Sequence, residues 1–146
     1  MTNKLLKDRI KQVSDKKKVL IITDGTEIID SIAHSLEQTL TGAGSFAASA
    51  VKICNAQEFS GTDLLPANTF FIGCEKPNPP SFEYLKDMLA HINFAGRSCG
   101  IFSVNKKTLN YLSGIIKDCE VKTGEPLLIT EPDVKSVKNW LKGIMD

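Results

Sequence analysis

The feature that most constrains this chain is a pattern of short, unbroken apolar runs separated by apolar residues at helical spacing. Val19-Leu20-Ile21-Ile22 is the first such run, bounded by Lys16-Lys17-Lys18 and by Thr23-Asp24-Gly25-Thr26. A strand that is apolar at every position is buried on both faces, as in the middle of a parallel sheet. Ile28, Ile29, Ile32, Leu36 and Leu40 follow with the three-to-four-residue repeat of one helix face, ending at Thr41-Gly42-Ala43-Gly44, where glycines suit a C-cap.

The alternation then repeats. Residues 46–53 read as a weaker, edge-like strand, and Thr69-Phe70-Phe71-Ile72-Gly73-Cys74 as a buried one. A helix begins near Ser81 and turns Phe82, Leu85, Leu89 and Ile92 inward. Residues 99–104 form a fourth strand, followed by a helical stripe of Leu109, Leu112, Ile115 and Ile116. Residues 126–130 form a fifth, and Pro132-Asp133 starts a last helix with Val134, Val137, Leu141 and Ile144 inward. Strands alternating with helices predict right-handed crossovers and one three-layer, doubly wound α/β sandwich over residues 18–146. A leader over residues 1–17, with Leu5, Leu6, Ile10 and Val13 near helical spacing, adds an amphipathic N-terminal helix. In such folds ligands sit beyond the carboxyl ends of the strands. The search therefore narrows to the loops after Ile22, Ile53, Cys74 and Val104.

Composition enters here through what it excludes. At 146 residues, with 42% hydrophobic and 24% charged residues, the chain is one ordinary globular domain, not a disordered or low-complexity polymer. No apolar run approaches the roughly 18 residues of a membrane span, and residues 1–18 lack the apolar core of a secretory signal, so the expected setting is cytoplasmic with no membrane partner. The net charge of +1 conceals a split: residues 1–18 carry seven Lys/Arg against Asp8 and Asp15, leaving +5 there and −4 in the body. An acidic body gives no footprint for nucleic acid.

The first loop, Thr23-Asp24-Gly25-Thr26-Glu27, places hydroxyls and a glycine between a buried strand and a helix start, where free N–H groups and the helix dipole favour anions. Asp and Thr are also favoured helix caps, so Thr23 and Asp24 equally suit a plain structural turn. A hydroxyl-rich loop with Gly25-Thr26-Glu27 opening an amphipathic helix resembles the phosphate loop of the flavodoxin family, which ends Thr-Gly-Asn-Thr-Glu. Asn93-Phe94-Ala95-Gly96-Arg97-Ser98-Cys99-Gly100-Ile101-Phe102-Ser103 resembles that family's approach to its fourth strand, and Glu131-Pro132-Asp133 followed by Trp140 its last strand and helix. The resemblance covers residues 18–146 and rests on element order more than on specific motifs. It implies a five-stranded parallel sheet in the order 2-1-3-4-5, flavin mononucleotide (FMN) as cofactor, and one-electron transfer to a redox partner protein. The residues it places at the cofactor are Thr23, Asp24, Gly25, Thr26, Cys74, Glu75, Ser103 and Asn105.

Where the cofactor would bind, the sequence departs from the family. The phosphate loop is about two residues short, and Asp24 stands where hydroxyl or small residues are usual. A carboxylate about 4 Å from a phosphate oxygen costs on the order of 1 kcal/mol per charge in water and about 4 kcal/mol at an effective dielectric of 20. The third loop, Gly73-Cys74-Glu75-Lys76-Pro77-Asn78-Pro79-Pro80, has no aromatic to flank a flavin, and neither does Ser103-Val104-Asn105-Lys106-Lys107. Phe82, Tyr111 and Trp140 read as packing, and Tyr84 falls inside the third helix. The expected site is therefore a degenerate one. The alternative is a flavodoxin fold that has lost its cofactor and serves as an interaction or scaffolding module, with Leu5, Leu6 and Ile10 of the leader as a dimer or partner contact.

Other chemistries find no support. The four cysteines, Cys54, Cys74, Cys99 and Cys119, form no CxxC pair, and His34 and His91 have no ligand-spaced companions, so no metal site is expected. A nucleophilic Cys74 would need a cationic neighbour, and Glu75 is nearer than Lys76. No G-x-S-x-G elbow marks a hydrolase. A phosphoacceptor receiver would need an acidic pair, an Asp and a Lys where this chain has a lone Asp24, Cys74-Glu75 and Thr130-Glu131.

Overall fold

A computed structural model describes residues 18–42, 46–58, 60–117, 119–130 and 133–145. The N-terminal helix expected over residues 1–17, with its dimer contact, lies outside these residues. So do Glu131 and Pro132 of the last helix's run-in.

Among the described residues, five α-helices and six strands follow one another. They are β1 (Val19–Thr23), α1 (Glu27–Gly42), β2 (Val51–Asn55), α2 (Gly61–Leu64), β3 (Thr69–Gly73), α3 (Glu83–His91), β4 (Ser98–Ser103), α4 (Lys106–Ile116), β5 (Lys122–Thr123), β6 (Leu127–Leu128) and α5 (Val134–Met145). The pairing is parallel throughout, in the order β2-β1-β3-β4-β5, with β6 also on β4. This is the strand order that the family resemblance implies. The runs chosen as doubly buried are so: β1 and β3 are buried at every position.

Strand alternation then sorts the side chains into two cores. Leu20 and Ile22 of β1, Phe70 and Ile72 of β3, and Cys99 and Ile101 of β4 meet α2, α3 and α4. Val19, Ile21, Phe71 and Phe102 face the opposite way and meet α1 and α5. The apolar stripes read from the sequence supply the covering faces, including Ile29, Ile32, Leu36 and Leu40 of α1. Full burial of each such side chain stabilises by about 1.5–3 kcal/mol, so the two stripes decide which face each helix takes.

The structure corrects four boundaries. The second strand does not start at residue 46: a 3-10 turn, Ala48–Ala50, precedes it, and it runs on to Asn55. The cause is register, because Val19–Thr23 of β1 pairs with Val51–Asn55 residue for residue. The second loop therefore begins after Asn55, not Ile53. The polar stretch after it holds one helical turn, α2, tied to β2 by a Lys52–Asp63 ion pair of 2.6 Å. A 3-10 turn, Pro80–Phe82, precedes α3, closed by the Phe82 N–H donating to the Pro79 carbonyl at 3.0 Å, with Pro80 at a helix start where no N–H is needed.

The fifth strand is the largest departure. Instead of one run over 126–130, two pieces share the edge of β4, β5 beside Ser98 and Cys99 and β6 beside Phe102 and Ser103. Pro126 can donate no ladder hydrogen bond, and between the pieces the Glu125 carbonyl accepts the Trp140 indole N–H at 2.6 Å. The edge detours to reach α5.

Candidate functional site

The carboxyl ends of β1, β3 and β4 converge on one edge, and the predicted loops meet there. Thr23 closes β1 with its side chain turned inward, 1% exposed, where its hydroxyl accepts the Gly25 N–H at 3.3 Å. Gly25 has φ +83°, a left-handed conformation that favours glycine. A Cβ there would also collide with the Asn55 side-chain amide, so β2 closes over the turn. Asn55 is in turn fixed by the Gln57 N–H, which donates to its Oδ1 at 2.9 Å.

Asp24 is the centre of the site. Its Oδ1 accepts the Thr26 N–H at 3.0 Å and the Thr26 hydroxyl at 2.7 Å, and its Oδ2 accepts the Glu75 N–H at 2.8 Å. Three donors from two loops thus converge on one oxyanion, and that oxyanion is the chain's own carboxylate. Thr26 carries the first helical carbonyl, accepting the Asp30 N–H at 2.9 Å, so the donors lie at the start of α1 where its dipole also favours negative charge.

The third loop is held from the other side. The Ser103 hydroxyl, fully buried, donates to the Cys74 carbonyl at 2.7 Å. Asn105 Nδ2 donates to the Glu75 carbonyl at 2.8 Å, and the Thr108 hydroxyl lies 3.0 Å from the same carbonyl. Asn105 also caps α4, its Oδ1 accepting the Thr108 N–H at 2.8 Å. The peptide of Glu75 is therefore clamped at both ends, by Asp24 on its N–H and by Asn105 and Thr108 on its carbonyl. Ser103 and Asn105 come together with Cys74 and Glu75 as the sequence suggests, but their polar groups are directed at backbone carbonyls.

Cys74 itself is fully buried, and burial, then the Asp24 charge, push its thiol up to about 12. A thiol so placed is neutral at physiological pH and is a core residue, not a nucleophile. Burial likewise raises Cys54 to about 11 and Cys99 well above its ordinary value. Tyr111 packs against the same core, its hydroxyl buried without a hydrogen-bond partner and pushed up to about 12.

Beside these ties an open groove of about 520 Å³ is lined by Asp24, Thr26 and Glu75, together with Gln57 and the loop from Lys76 to Ser81. Its size falls within the usual range of ligand pockets. Among the described residues no aromatic side chain lines it, and Lys76 is the one lining cation against Asp24 and Glu75. Sequence reasoning missed Asn55, Gln57 and Thr108. Thr108 carried a faint signal, a threonine three residues after an Asn at a helix start; the other two carried none.

The fold is flavodoxin-like. The flavodoxin-like architecture is shared with a short-chain flavodoxin associated with a non-canonical PDU bacterial microcompartment, at 13% identity and a TM-score of 0.73, over 88% of this chain and 96% of that one. Oxidised flavodoxin 2 from Bacillus cereus matches at 17% identity and 0.70, over 86% and 96%. A Fusobacterium nucleatum flavodoxin bound to FMN matches at 12% and 0.64, over 86% and 95%. No family model and no curated protein matches the chain. No helix among the described residues is long and apolar enough to cross a membrane.

Proposed function

We propose that this flavodoxin-like protein takes FMN as a weak, exchangeable ligand at the carboxyl edge of its sheet and exchanges single electrons with a protein partner docked there. The observation that carries this reading is the convergence of the Thr26 N–H, the Thr26 hydroxyl and the Glu75 N–H on one oxyanion. That donor set suits a phosphate as well as the carboxylate now standing in for it. Gly25 keeps the turn free of a Cβ, and Lys76 is the cation among the described residues lining the groove. FMN, when bound, supplies the one-electron chemistry. The Thr26 and Glu75 donors would hold the phosphate, and Pro77, Pro79 and Pro80 line the same groove. The net −4 of residues 19–146 supports weak docking to basic partners.

The missing aromatic wall is why binding should be weak. Base-type stacking on an aromatic ring contributes about 1–3 kcal/mol, and here that contribution has no source. The protein should purify colourless and quench the fluorescence of added FMN saturably, with a dissociation constant above about 1 μM. Thr26→Ala should weaken that binding. Absence of saturable quenching would overturn the reading. It would favour the second one, a cofactor-free interaction module, which the self-closed clamp around Glu75 supports.

A further inference from the structure

We propose that Asp24 is an internal competitor for the FMN phosphate, so that ligand binding and the tie between the first and third loops exclude one another. This rests on the FMN reading above. The three donors that hold the carboxylate have no spare capacity: the Thr26 and Glu75 N–H groups each carry a single proton, already aimed at Oδ1 or Oδ2. A phosphate taking those protons would also lie beside a full negative charge. Two anions cannot share this donor set, so one must leave.

The exchange can stay local. Asp24 is part-buried and lines the groove, so its side chain has solvent-facing space to swing into. The third loop does not need Asp24 to stay in place. Its carbonyls at Cys74 and Glu75 are bonded to Ser103, Asn105 and Thr108, none of which involves the carboxylate. The Glu75 N–H is thus presented at a fixed position to whichever anion is there. Asp24 satisfies the donors when the groove is empty and lowers the affinity for phosphate-bearing ligands by the free energy of its own displacement.

The test compares FMN with riboflavin, the same ring without the phosphate, in the full-length wild type, Asp24→Ser and Asp24→Asn. Asparagine keeps an acceptor for Thr26 and removes the charge, so it covers the case in which the serine variant folds poorly. Affinity comes from flavin fluorescence, and loop state from amide hydrogen exchange at Glu75. The expected result is FMN binding at least about tenfold tighter in Asp24→Ser, a difference of about 1.4 kcal/mol, with riboflavin unchanged. In that variant the Glu75 amide should exchange faster without ligand and regain protection with FMN. Equal FMN affinity in wild type and both variants would overturn the competition while leaving the FMN reading intact. Failure of all three to bind FMN would overturn both. A gain for FMN and riboflavin alike would also overturn it, because the effect would not involve the phosphate.

Discussion

Thr108 shows how much one side chain holds at this edge. Fully buried in the first turn of α4, its hydroxyl reaches both the Glu75 carbonyl and Asn105 Oδ1. Thr108→Val keeps the shape and removes the hydroxyl's one proton, while Asn105 Nδ2 still serves the Glu75 carbonyl and the Thr108 N–H still serves Asn105 Oδ1, so it should cost about 0.5–1.5 kcal/mol in urea denaturation. A loss within error would mean that the clamp on Glu75 contributes nothing to stability. The cysteines give a second residue-scale prediction. With Cys74 near 12 and Cys54 near 11, a thiol reagent such as Ellman's should modify these two far more slowly in folded protein at pH 8 than after unfolding. Prompt labelling of Cys74 in the native state would contradict its placement. Neither feature is visible in one dimension, because Thr108 meets its partner 33 residues away and Cys74 is surrounded by distant strands.

At the scale of elements, β4 and α5 lie as close as they do because of Gly100. A Cβ there would fall 2.6 Å from Ile144 Cδ1, 2.7 Å from Phe71 Cδ1 and 2.8 Å from Trp140 Cζ2. Phe71 and Trp140 already pack with ring centroids 5.3 Å apart, so neither ring can yield without disturbing the other. Gly100→Ala should therefore destabilise by about 1–3 kcal/mol through overpacking, read as a lower urea midpoint and a shift in Trp140 emission. An unchanged midpoint would show that α5 can move off the sheet at no cost. The same helix explains the divided fifth strand: with the Trp140 indole donating to the Glu125 carbonyl, residues 124–126 lie outside the ladder and leave β5 and β6 as separate pairs. Apolar periodicity found the helices and central strands because their burial is repetitive. It extended the edge strands wrongly because their limits are fixed by register with β1 and β4.

For the whole molecule, burial of neutral titratable groups predicts an alkaline limit to stability. Cys54, Cys74 and Tyr111 all ionise later in the folded chain than in the unfolded one. Well below pH 9, the ordinary value of a cysteine thiol, the groups are neutral in both states and their contribution is fully present. Between about pH 9 and 12 the unfolded chain releases protons that the folded chain retains, so stability falls with rising pH. Thermal midpoints measured from pH 8 to 11 should decline, and Tyr111→Phe, which also removes an unpartnered hydroxyl, should make the decline shallower without lowering the midpoint at pH 8. A flat profile would refute the burial of these groups. The architecture itself was legible in the sequence, since five strand-like runs, two of them apolar enough for burial on both faces, and the helical stripes between them admit few arrangements other than a doubly wound sheet. The same reading brought Asp24, Glu75, Ser103 and Asn105 to one edge, because strand ends in such a sheet meet there. What it could not decide is where their polar atoms point. Asp24 could have capped its helix, faced solvent or opposed a ligand, and only tertiary structure, by placing the Glu75 N–H 2.8 Å from Oδ2, turns it into the anion of its own site. Burial patterns are written along the chain, whereas hydrogen bonds between loops depend on the relative placement of strands that folding alone provides.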